Sequence, residues 1–145
     1  MSEWDVASMV ELARRHARLE VSGDLDATLD TLVPHPVYEW QPMGWIMEGR
    51  ERVARYYEHL VAHFLPRTRG VRLLGDWASA SSVAQEYEID VEVDGAVESH
   101  RVVGVLFAEG DVLGGERLYT SERCARLMAG DALIDEIAAV ARPGR

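Results

Sequence analysis

Residues 35–60 read HPVYEWQPMGWIMEGRERVARYYEHL, and the fold turns on how this stretch is taken. It opens on a short aromatic strand, Val37-Tyr38-Glu39-Trp40. A loop broken by Pro42 and Gly44 follows, carrying exposed-looking Met43, Trp45, Ile46 and Met47. The stretch ends in an amphipathic helix with adjacent Tyr56 and Tyr57. Two of the four Trp and three of the five Tyr lie in it. Aromatic side chains gathered around a loop pack a core or line a cavity. Here they are read as doing both.

Upstream, Met9, Leu12, Ala13, His16, Leu19 and Glu20 recur at three- and four-residue steps, the period of one helix face. Ser2 is the expected N-cap and Gly23 the stop. Asp24 caps a second, short helix with Leu25, Leu29 and Leu32 as its apolar positions, and Pro34 and Pro36 then force an extended chain. After the aromatic strand, Gly49 precedes a long helix ending before Pro66, with Val53, Tyr56, Tyr57, Leu60, Val61 and Phe64 as its stripe. His59 falls off that stripe and His63 lies at its edge.

Beyond Pro66 the period changes to two. Residues 69–77 read weakly as a strand and residues 83–93 clearly, with Val83, Gln85, Tyr87, Ile89, Val91 and Val93 on one face. Ala84, Glu86, Glu88, Asp90 and Glu92 form the other. Asp94-Gly95 is a hairpin turn leading into a strand over residues 97–108, and a last strand spans 112–119. Ser121 starts a helix that Gly130 ends, and Asp131 starts the final one. Helices gathered before an antiparallel meander predict an α+β fold, a curved sheet around a long helix with a conical cavity between them.

Composition narrows the function. A chain of 145 residues implies one domain, read as residues 1–130 with a helical tail over 131–145. A formal charge of −10 argues against nucleic acid or an anionic membrane as partner, since both require clustered cations. The single cysteine, Cys124, offers neither an intramolecular disulfide nor a metal-site pattern. The first twenty residues lack the basic start and apolar block of a signal peptide, and no run approaches the ~20 apolar residues of a membrane span. A cytoplasmic protein is expected.

Three stretches carry a resemblance to a known family: Ser22-Gly23-Asp24-Leu25-Asp26-Ala27; Val37-Tyr38-Glu39-Trp40-Gln41-Pro42 with Glu48-Gly49-Arg50; and Glu116-Arg117-Leu118-Tyr119. Together they resemble the nuclear transport factor 2-like superfamily, in its SnoaL-like (polyketide cyclase) branch. The resemblance implies a cone-shaped barrel of mainly antiparallel sheet around helices, with extra C-terminal helices here. It also implies a homodimer through the sheet and a small hydrophobic ligand without a cofactor or metal. The departures are informative. Ketosteroid isomerases of this superfamily carry a Tyr where His16 stands, a base Asp where Gln41 stands after Glu39 and Trp40, and a protonated Asp near Val103. Limonene-type epoxide hydrolases carry an Asp for which Arg117 is the nearest match. Neither Asp-based machinery is complete.

The candidate catalytic residues are His16, Glu39 and Arg117. His16, on an apolar helix face, is a hydrogen-bonded core histidine or a general acid/base. Glu39 is a surface acid if Tyr38 and Trp40 face inward, and a base of raised pKa if Glu39 and Gln41 do. Arg117 forms a salt bridge at the rim or binds an anion or oxyanion, and Arg101 shares that ambiguity. Candidate binding residues are Tyr38, Trp40, Gln41, Tyr56, Tyr57, His63, Tyr87, Val103 and Tyr119. The expected function is a cofactor-independent enzyme of secondary metabolism, cyclising or isomerising a hydrophobic, carbonyl-bearing, polyketide-like substrate. The competing reading is a non-catalytic ligand-binding or dimeric interaction protein of the same fold.

Overall fold

A computed structural model describes residues 3–140. Helix α1 (Val6–Ser22) is capped by Asp5, whose carboxylate accepts from the Ser8 amide while the Ser8 hydroxyl accepts from the Asp5 amide. Ser2, the residue expected to cap it, lies outside the described residues. Gly23 closes α1 in the left-handed region at φ 76°. Asp24 then caps α2 (Leu25–Leu29) through the Ala27 amide.

The sheet has six strands: β1 (Leu32–Gln41), β2 (Trp45–Glu48), β3 (Thr68–Ala78), β4 (Ser82–Val93), β5 (Ala96–Glu109) and β6 (Val112–Tyr119). Their order is β2-β1-β6-β5-β4-β3, with every neighbour antiparallel except β1 and β6, which run parallel. Two edges, β2 and β3, remain free, so the expected barrel is an open mixed sheet. Residues 45–48, expected to continue the loop, are a strand instead. Gly44, at φ 73°, turns the chain so that Trp45 pairs with Trp40 and Met47 with Tyr38. Met47 is fully buried rather than exposed. Pro34 and Pro36 fall where β1 pairing is interrupted between Leu32 and Val37, the place for residues lacking an amide donor.

Helix α3 (Arg50–His59) was expected to continue evenly to Pro66. It widens instead into a π-helical turn (Leu60–Phe64) and then a 3-10 turn (Leu65–Arg67), because Pro66 cannot continue the regular hydrogen-bond ladder. Helices α4 (Glu122–Ala129) and α5 (Asp131–Ala138) complete the chain. Leu133, Ile134 and Ile137 of α5 join the same core as Met9, Tyr38, Trp40 and Val53. None of the helices described is long and apolar enough to cross a membrane.

The register settles which way each strand faces. Tyr38 and Trp40 are fully buried, so Glu39 and Gln41 lie on the opposite, outer face. That outer face carries the acidic row of β4 matched by arginines. Arg72 pairs with Glu88 and Asp90, Arg101 with Glu86 and Glu88, and Arg69 with Glu92.

The β1–β6 pairing requires a glycine. At Gly115, φ 153°, an added Cβ would stand 1.8 Å from the Val37 carbonyl oxygen, which is backbone and cannot rotate away. Gly115→Ala should therefore cost more than ~3 kcal/mol in urea unfolding. Gly95, in the hairpin turn at φ 83°, has open space around its Cβ position. Gly95→Ala should cost only about 1 kcal/mol, from backbone strain alone. Equal losses at the two positions would contradict the close approach of β1 to β6.

Candidate functional site

Between the helices and the inner face of the sheet lies a cavity of about 560 Å³. Its wall is mainly apolar, with Leu60 and Phe64 from the helical side and Val83, Ile89 and Leu106 from the sheet. Edge strand β3 forms one lip, where inward Val71 and Leu73 stay more than half exposed. The cavity is thus open to solvent along β3 and the end of α1.

One side of the cavity rests on a buried polar chain. The Thr31 hydroxyl donates to the Thr28 carbonyl at 2.6 Å, so its oxygen accepts from His16 Nδ1–H at 2.7 Å. His16 Nε2 is left as an acceptor, taking the Tyr57 hydroxyl proton at 2.9 Å, and the Tyr57 oxygen accepts from Tyr38 at 2.5 Å. His16 is 1% exposed, and burial pushes its pKa down to about 4. It is a neutral imidazole with both nitrogens occupied. Tyr56 stacks beside Tyr57, with ring centroids 4.8 Å apart, and edge-on to Trp40 at 5.4 Å. Burial holds all four tyrosines, Tyr38, Tyr56, Tyr57 and Tyr87, well above the ordinary phenol range, so each is a neutral donor.

Two carboxyls face the same space. Glu20, one helical turn beyond His16 with Oε2 3.5 Å from Nε2, has its pKa raised by burial to about 7. Glu116, from β6, is pushed up to about 8, first by burial and then by the negative charge of Glu20. Gly104 on β5 lies beside it: a Cβ there would stand 3.8 Å from the Glu116 carboxyl carbon, in ordinary van der Waals contact. Among the described residues, the Glu116 carboxyl and the Tyr56 and Tyr87 hydroxyls have no hydrogen-bond partner, although all three residues line the cavity. The negative charge of Glu20 makes Glu116 harder to ionise in this largely apolar space, so Glu20 loses its proton first.

The structure brings together His16, Tyr56 and Tyr87 at the cavity, with Tyr38 and Tyr57 behind them and Trp40 in the core. It separates the rest. Glu39 and Arg117 pair with each other at 2.9 Å on the outer face, where the Arg117 guanidinium lies over Phe107 at 4.7 Å. Neither reaches the cavity, because β1 and β6 present Tyr38 and Glu116 inward in the same register. Gln41 bonds Glu39 on that outer face, and Tyr119 pairs across β6 with Val103, one residue out of phase with the inward Val102 and Gly104. His63 stacks on His59 at 4.9 Å in a separate, shallow depression with Arg67. Glu116 and Gly104 were missed by the sequence reading, and Glu20 was read only as part of a helix face. Glu116 was detectable, since it alternates with apolar Leu118 and therefore shares its face.

No family model and no curated protein matches the chain. Solved structures do. One, provisionally assigned as a SnoaL-like polyketide cyclase from Jannaschia sp. CCS1, aligns at TM-score 0.69 with 15% identity, covering 89% of this chain and 96% of that one. A nuclear transport factor 2-like protein of unknown function from Cytophaga hutchinsonii aligns at 0.61 with 17% identity, over 81% and 93% of the two chains. This chain has the nuclear transport factor 2-like fold. A provisionally assigned ketosteroid isomerase from Kribbella flavida shares that fold at TM-score 0.59 and 15% identity, over 81% and 80%. In the nuclear transport factor 2-like fold seen here, the helices and sheet converge on the cavity that holds Glu20 and Glu116.

Two outcomes follow from these environments. Tyr57→Phe leaves His16 Nε2 and the Tyr38 hydroxyl unpaired, and should lower stability by ~1–3 kcal/mol in chemical denaturation. A Tyr38→Phe/Tyr57→Phe double variant should lose less than the sum of the two single losses. The carboxyls act through pH. Because native Glu116 holds its proton up to about 8, against an ordinary 4.5, its contribution is complete below about pH 4.5 and lost as pH rises through about 8. Glu116→Gln should thus match wild type at the acid end and gain in urea midpoint toward pH 8. His16 works oppositely: its contribution is complete above 6.5 and lost as pH falls through about 4. A midpoint difference between Glu116→Gln and wild type that does not grow with pH would refute the buried-carboxyl assignment.

Proposed function

We propose that the cavity binds a hydrophobic carbonyl compound and isomerises or cyclises it by proton transfer, without a cofactor. One observation supports this above the others: two carboxyls of raised pKa and two unpartnered phenols converge on one apolar cavity. A carboxylate with a pKa near 7 is a far better base than an ordinary one and is still available near neutral pH. Glu20 takes the proton from the carbon next to the carbonyl. The C–H electron pair forms the enolate double bond, and the carbonyl π pair moves onto oxygen. Glu116, protonated near neutral pH, donates a hydrogen bond to that oxyanion, as do the Tyr56 and Tyr87 hydroxyls.

For isomerisation, Glu20 returns the proton to a different carbon of the enolate. For cyclisation, the enolate carbon attacks a second carbonyl of the same chain, a C–C bond forms, and the new alkoxide takes the Glu116 proton. The cavity wall contributes by holding the reacting ends together. His16 is assigned a positioning role, because both its nitrogens are engaged. A polyketide-like substrate of secondary metabolism suits this wall of rings and aliphatic side chains. The neighbours assigned as a cyclase and an isomerase favour the same chemistry by analogy of fold alone.

The direct test is exchange of α-hydrogens of hydrophobic ketones and diketones in D₂O, followed by NMR. Wild type should accelerate exchange, Glu20→Gln should lose ~10²-fold or more, and Glu39→Gln should match wild type. Ketones that bind without exchanging would instead identify a non-catalytic ligand-binding protein, the reading favoured by the incomplete Asp machinery. Full activity in Glu20→Gln would remove the proposed base.

A further inference from the structure

The charges of this protein are distributed unequally between the two faces of its sheet. On the outer face, Arg69, Arg72 and Arg101 neutralise the β4 acids, and Arg117 neutralises Glu39. On the inner face the acids have no such partners. Among the described residues, no arginine or lysine lies within ion-pair distance of Glu20, Glu116 or Asp76, all of which line the cavity. Arg14 is the only arginine or lysine among the lining residues, and its side chain is solvent-exposed. His16 is kept neutral by burial, its Nδ1–H committed to Thr31 and its Nε2 lone pair to Tyr57.

A second, independent feature points to a ligand rather than to an idle acidic cluster. Tyr56 is 2% exposed, lines the cavity and has a hydroxyl without a protein partner. Its oxygen, with that of Tyr87, offers the cavity lone pairs that accept from an ammonium N–H. The remaining wall, including Leu60, Phe64 and Leu106, matches an apolar body. A volume of about 560 Å³ suits a small organic molecule.

We infer that this cavity is a binding site for hydrophobic amines in their protonated form, the ammonium seated between Glu20 and Glu116 beside the Tyr56 and Tyr87 hydroxyls. An ammonium there supplies the counter-charge that the protein omits and relieves the repulsion between the two carboxyls. An anion of the same shape meets three uncompensated acids and is excluded. The inference uses the same cavity as the proposed reaction but does not depend on catalysis. An amine seated there holds both carboxyls ionised, and so inhibits any reaction that uses Glu116 as an acid.

Three ligands of one shape separate charge from fit: adamantylamine, adamantanol and adamantane carboxylate, titrated calorimetrically into the wild-type protein at about pH 8, at or above the pKa of both carboxyls. The amine should bind at least ~10-fold more tightly than the alcohol, and the carboxylate more weakly than either. Glu20→Gln and Glu116→Gln should each narrow the amine-over-alcohol preference while leaving the circular dichroism spectrum unchanged. Alcohol binding as tight as amine binding, preference for the carboxylate, or binding of none of the three would overturn the inference, with no variant needed. Amine binding without ketone exchange would leave this inference standing and sink the catalytic reading. Ketone exchange without amine preference would do the reverse.

Discussion

The parallel pairing of β1 with β6 is the constraint on which the remainder of the structure depends. It sets Tyr38 beside Glu116 and Trp40 beside Leu118 on the inner face, and Glu39 beside Arg117 on the outer. Because side chains alternate with a period of two, a slip of one residue would exchange these sets. The buried rings would meet solvent and an ion pair would enter the core. Gly115 permits the pairing by letting the Val37 carbonyl approach where any side chain would stand. The β1–β2 hairpin then delivers the chain into α3, whose Tyr56 and Tyr57 close over Tyr38.

With that frame in place, polar groups inside the protein follow two regimes. The chain from Tyr38 through Tyr57 and His16 to Thr31 is satisfied at every link, and such a network rigidifies the wall it belongs to. Glu20, Glu116, Tyr56 and Tyr87 are arranged differently: they are gathered at the cavity with hydrogen-bonding capacity left over. A desolvated carboxyl without a partner destabilises the fold as it ionises, so its retention here is a cost in stability. Sites that bind or transform ligands show that pattern of strongly perturbed carboxyls in a cleft. The neutral His16 next to Glu20 keeps the carboxyl from being quenched by a fixed positive charge.

The local sequence determined the helices, the four-strand meander and the aromatic concentration over residues 35–60. Capping residues, turn dipeptides and hydrophobic periods act over a few residues and are visible without coordinates. Asp94-Gly95 is such a case, and so is the stripe through Tyr56 and Tyr57. The resemblance of three short motifs supplied the fold, which the solved structures share. His16 on its apolar face was also legible, as was the two-sided character of β4.

Tertiary structure decided which carboxyls reach the cavity. The alternation of Glu116 with Leu118 names a face, and the long-range pairing of β1 with β6, across 78 residues in the Glu39–Arg117 contact, turns that face to the cavity and Glu39 away from it. The same holds for His16, kept neutral by burial and held at its nitrogens by Thr31 and Tyr57, fifteen and forty-one residues away. Periodicity names a face, but burial and charge partners arise from contacts between distant segments. Sequence therefore determined the elements and the ring-rich wall, and the three-dimensional packing decided that the acids lining the cavity are Glu20 and Glu116.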